Sequence, residues 1–111
     1  MNVGNTAQDV FLFEKSIELK EYKINTDYNI LKVQIESTTE SPTFNIILEG
    51  RTNKFCKYEQ MLAFSDSTWK LEKTLTKVGI YTFDVLGYSD VILKVVSTDT
   101  PLTCHIIEMK E

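Results

Sequence analysis

Alanine is almost missing, at two of 111 residues, and that scarcity removes the best helix former from the chain. Glycine occurs four times without clustering, so there is no phosphate-cradling loop and no Walker pattern. One histidine, His105, and two cysteines, Cys56 and Cys104, are too few and too scattered for a zinc site, which needs at least three convergent ligands. The cysteine spacing fits no zinc ribbon or redox motif either, so no metal and no cofactor is expected. Basic excess is also lacking: 12 Lys and Arg stand against 16 Asp and Glu, and the signs alternate, which argues against a nucleic-acid partner. The apolar cluster Val10 to Phe13 is too short for a secretion signal or a membrane span, and residues 1–9 carry no Lys or Arg. No membrane partner is expected. A nucleophile elbow of the Gly-x-Ser-x-Gly kind is absent, as is a Cys-Gly signature, so nothing marks an enzyme.

What the chain does hold is strand-forming residues: valine, isoleucine, threonine and the aromatics account for 43 of 111. These types fit pleated, half-buried surfaces. They fall in alternating runs: Leu31, Val33 and Ile35 against Lys32, Gln34 and Glu36, then Phe44, Ile46 and Leu48, then Tyr81, Phe83 and Val85. Leu102, Cys104 and Ile106 form another such set, with Glu108 on the same parity. Phe55 to Phe64 and Thr68 to Thr76 read as two further runs joined at Ser65-Asp66-Ser67, and the latter puts Trp69, Leu71, Lys73 and Leu75 on one side. Seven to eight strands at a spacing of roughly ten residues predict an all-β fold, an antiparallel β-sandwich of jelly-roll or immunoglobulin-like type. Residues 9–111 form the single domain, and residues 1–8 read as an arm.

Candidate sites are few. Exposed rings on a sandwich can stack on sugars: Tyr58, Trp69, Tyr81 and Tyr88 are the candidate rings, of which Tyr58, Trp69 and Tyr88 are singled out, while Phe44, Phe64 and Phe83 read as core. Carboxylates such as Glu36, Glu49, Asp84 and Asp90 lie on polar strand faces, where solvation accounts for them. The run Tyr88 to Thr98 is apolar on nearly both faces, so its Ile92 and Val96, with Met1, Asn2 and Val3 of the arm, are the candidate protein-contact residues. Both cysteines read as small apolar residues in a reducing compartment, and pairing would require their strands to be neighbours.

The segment Val78-Gly79-Ile80-Tyr81-Thr82-Phe83-Asp84-Val85-Leu86-Gly87-Tyr88, with Val91-Ile92-Leu93-Lys94-Val95 after it, resembles small β-sandwich proteins of tailed bacteriophage virions. Leu31 to Ile35 and Phe44 to Gly50 resemble the same pattern, so the likeness covers residues 28–109. Two departures stand out: Arg51-Thr52-Asn53-Lys54 lacks a second glycine, and Phe55 stands where tryptophan is common. The resemblance implies a non-enzymatic virion component, a capsid decoration, head-fibre base, or tail or neck accessory protein. It implies assembly in the host cytoplasm, docking on other virion proteins and a homo-oligomer, a trimer by analogy with head fibres. The other reading is a carbohydrate-binding module for host-surface recognition.

Overall fold

The computed structural model describes residues 6–14, 18–23 and 29–109. Ten strands and no helix are present among them: β1 (Thr6–Phe13), β2 (Glu18–Lys23), β3 (Ile30–Glu36), β4 (Phe44–Arg51) and β5 (Glu59–Gln60), followed by β6 (Ala63–Ser65), β7 (Lys70–Glu72), β8 (Gly79–Asp84), β9 (Asp90–Thr98) and β10 (Leu102–Met109). All pairings are antiparallel, in a six-stranded sheet of order β1-β10-β3-β8-β6-β7 and a four-stranded sheet of order β2-β9-β4-β5. The all-β sandwich is therefore as the sequence predicts.

The pairings β1 with β10, β2 with β9, β3 with β8 and β4 with β5 describe one long antiparallel ribbon, rolled so that β10 also meets β3 and β9 also meets β4. That is jelly-roll connectivity. Ten strands exceed the expected seven to eight because the short hairpin β6–β7 is added beside β8, outside the eight-stranded roll. The expected runs Phe55 to Phe64 and Thr68 to Thr76 are correspondingly broken. Residues 52–58 form a loop, and only Lys70–Glu72 of the second run is strand.

Alternation fixes the core. One face of β3 buries Leu31, Val33 and Ile35, β4 buries Phe44, Ile46 and Leu48, and β10 buries Leu102, Cys104 and Ile106. Each large aliphatic or aromatic chain so buried contributes roughly 1.5–3 kcal/mol of transfer free energy, which is why register is specified strongly here. Two places depart from simple alternation. Val96 is an extra residue on β9, since Asn45 faces Ser97 while Ile46 faces Val95, a β-bulge. Leu75 exchanges two backbone hydrogen bonds with Ile46, at 2.9 and 2.7 Å, and so caps the stretch of β4 that the two-residue β5 does not reach.

The first strand corrects the domain boundary. β1 pairs with β10 from Thr6↔Met109 to Phe13↔Leu102, so residues 6–8 belong to the sheet and not to an arm. Met1, Asn2 and Val3 lie outside the described residues.

Candidate functional site

The three rings singled out as a sugar platform do not come together. Tyr58 is half-buried, with the Arg51 guanidinium 4.4 Å above its ring centre. Tyr88 is half-buried against the core and lies over Gly50, where an added Cβ would stand 2.6 Å from Tyr88 Cδ1 and 2.7 Å from Met61 Sδ. Both tyrosines therefore serve the end of β4, where Arg51 Nε donates to Asp90 Oδ2 at 2.9 Å and Ser89 N–H donates to the Arg51 carbonyl. Trp69 belongs to the other sheet, at the turn between β6 and β7. It is 78% exposed, and its indole meets the Phe64 ring edge-to-face at 5.7 Å. Its φ of 60° is left-handed, unusual for a bulky residue.

The expected contact residues separate as well. Ile92 is only 8% exposed, because β9 is flanked by β2 and β4, so it is not available for docking; Val96, pushed out by the bulge, is 39% exposed. Phe64, read as core, is half-buried on the outer face beneath Trp69.

Polar chemistry gathers on the outer face of the six-stranded sheet. Lys32 Nζ donates to Asp66 Oδ2 at 2.8 Å and to Thr82 Oγ1 at 3.1 Å, and Thr82 Oγ1 donates to Asp66 Oδ1 at 2.9 Å. Burial works to raise the Asp66 carboxyl pKa, but the bonds from Lys32 and Thr82 and the Lys32 charge together hold it below the usual value. The sequence hid this triangle, because its members come from β3, the β6–β7 turn and β8. His105 Nε2 lies 3.6 Å from Glu36 Oε1 on the same sheet, a single contact rather than a catalytic pair.

An open cleft of about 860 Å³ lies between residues 36–42 and 76–79, lined by Glu36, Ser37, Glu40, Pro42 and Val78. It contains no histidine or cysteine, and no group of three metal-ligating side chains exists among the described residues. Both cysteines are free: Cys56 is exposed in the 52–58 loop, contrary to the apolar reading, and Cys104 is buried, its thiol pushed up to about 12 by that burial.

The sequence matches no known protein family and no curated protein. The fold does have relatives among solved structures. The crystal structure of SPBc2 prophage-derived protein YomS superposes with a TM-score of 0.74 over 99% of this chain and 99% of that one, at 16% identity. The PBSX exported protein XepA superposes with a TM-score of 0.73 at 11% identity, over 97% of this chain and 39% of that one. This chain thus spans about two fifths of the length of XepA. The likeness is one of fold.

Proposed function

We propose that this chain is a non-enzymatic structural component of a phage particle, which acts by self-association and by docking on other particle proteins. The observation that carries it is the end-to-end correspondence in fold with a prophage-derived protein, over 99% of this chain and 99% of that one. The described residues agree with this reading: their polar groups are arranged as paired networks, and the titratable ones gather no nucleophile, base and oxyanion donor. With Ile92 covered, the self-association surface we assign is the β1–β10 edge of the outer face of the six-stranded sheet, where Val10 and Leu12 stay exposed beside the half-buried Ile107 and Met109. Exposed apolar side chains grouped on one sheet face are what a subunit contact requires. The assembly we assign is a trimer.

Two measurements test this. Mass spectrometry of gradient-purified particles should find the protein at a fixed ratio to the major capsid protein. Absence from particles, with the protein free in the medium as the name of XepA would suggest, overturns the particle assignment. Sedimentation equilibrium of the purified chain should give three times the 12.8 kDa monomer mass, and Val10→Lys with Leu12→Lys should return it to the monomer.

A further inference from the structure

The β6–β7 hairpin displays a surface that the docking role does not use. Trp69, the chain's one tryptophan, is 78% exposed, and Leu71 two residues later is 67% exposed. Rings of this size normally gain by burial, so an indole held in water needs another reason for its place. It is held firmly. The Trp69 N–H donates to the Ser65 carbonyl at 2.8 Å, the Thr68 N–H to Ser65 Oγ at 3.3 Å, and Phe64 supports the indole from below. Backbone strain at φ 60° persists only where the surroundings impose it, and such positions cluster at ligand sites.

A polar set adjoins the ring. Phe64 faces Thr82 across β6 and β8, and Thr82 belongs to the triangle with Lys32 and Asp66, whose side chains keep 35% and 30% of their surface in water. An apolar platform therefore runs directly into donors and acceptors that are already oriented. The local charge is positive although the chain carries -4: Lys32, Lys70, Lys73 and Lys77 outnumber Asp66 and Glu72, the last three lysines are exposed, Glu72 is half-buried, and the Asp66 carboxylate is engaged by Lys32.

We propose that this hairpin binds an acidic polysaccharide. The C–H face of one sugar ring lies on the Trp69 indole, its hydroxyls exchange hydrogen bonds with Lys32, Asp66 and Thr82, and the carboxylates of neighbouring sugars meet Lys70 and Lys73. A sugar ring joins an apolar face to a hydroxyl rim, the same pairing that this surface presents. Added acid groups suit the lysines. The site shares the outer face of the six-stranded sheet with the self-association surface but lies toward the opposite edge, at β6–β7, and apart from Tyr58 and Tyr88.

Polygalacturonate serves as the probe, with dextran as the neutral control and polyglutamate as the charge-only control. Titration followed by the single indole and by calorimetry should show binding of polygalacturonate alone, weakening as salt rises. Trp69→Ala should lower the association constant by about tenfold or more, and Lys70→Glu with Lys73→Glu should weaken binding and flatten its salt dependence. Phe55→Ala, in the 52–58 loop, should change nothing, although Phe55 is 88% exposed. Equal binding of dextran or of polyglutamate overturns the proposal, as does undiminished binding by a folded Trp69→Ala variant or no binding of polygalacturonate by the parent protein.

Discussion

Tyr22 and Glu108 join the two sheets: the Tyr22 hydroxyl on β2 donates to Glu108 Oε2 on β10 at 2.9 Å, and the carboxyl is almost completely buried. A buried carboxyl costs several kcal/mol unless its oxygens are bonded, so this bond offsets the one polar side chain that β10 turns toward the core. Tyr22→Phe should destabilise the fold by about 1–3 kcal/mol, the cost of taking a donor from a buried acceptor. Glu108→Gln, which keeps an acceptor for the tyrosine, should cost less. Urea midpoints at unchanged slope check both, and equal midpoints for parent and Tyr22→Phe would show that the bond contributes nothing.

Gly50 and Gly87 separate two reasons for glycine. At Gly50 an added Cβ meets Tyr88 and Met61 at under 3 Å, so Gly50→Ala should cost about 1–3 kcal/mol through overpacking, and Tyr88→Ala in the same chain should recover part of it. At Gly87 the space is open but φ is 89°, so Gly87→Ala should cost about 1–2 kcal/mol through the backbone alone, with no rescue by any neighbour. Double-mutant cycles distinguish the two mechanisms.

Trp69 makes a third case. Alanine and glycine both delete the indole, but only glycine relieves the left-handed backbone at φ 60°. Trp69→Gly should therefore be more stable than Trp69→Ala by about 1 kcal/mol in thermal unfolding. The opposite order would mean that the turn opens once the ring is removed.

Cys104 gives a pH dependence whose sign follows from burial. Its thiol is pushed up to about 12 in the folded chain from an ordinary value near 9, so above pH 9 the unfolded chain loses a proton that the folded chain retains. Fewer protons on the unfolded state means that stability falls as pH rises, by up to about 1.4 kcal/mol per pH unit between 9 and 12. Tyr81, raised chiefly by burial and further by the Glu72 charge, adds a fall of the same sign above pH 10. Cys104→Ala should flatten the alkaline limb without removing it. At pH 8 a thiol reagent should modify Cys56 quickly and Cys104 only at the unfolding rate, with the fast phase absent in Cys56→Ser.

The legible parts of the fold are those in which burial alone sets the pattern. Leu31, Val33 and Ile35, or Leu102, Cys104, Ile106 and Glu108, alternate without interruption because one face of each strand meets only the other sheet. The pattern fails where a neighbour or a turn intervenes. Trp69, Leu71 and Leu75 share a parity in sequence, yet the left-handed turn leaves the first two in water while Leu75 crosses to bond Ile46. Ile92 has the parity of an exposed residue and is buried by strands on both sides. β1 begins Thr-Ala-Gln-Asp, with no apolar alternation, and is a strand because β10 supplies its hydrogen bonds. Grouping Tyr58 with Trp69 and Tyr88 failed for the same reason: residue type marks a ring, and only pairing says which sheet carries it.

Since Thr6 pairs with Met109, the first and last described strands leave the sandwich at one pole. A short bridge across that pole would join β1 to β10 into a closed circuit of chain, which could be reopened in the exposed 52–58 loop with every strand pairing intact. The two ends of the sheet are thus a single place of attachment, and whatever is fused to either end will emerge beside the other.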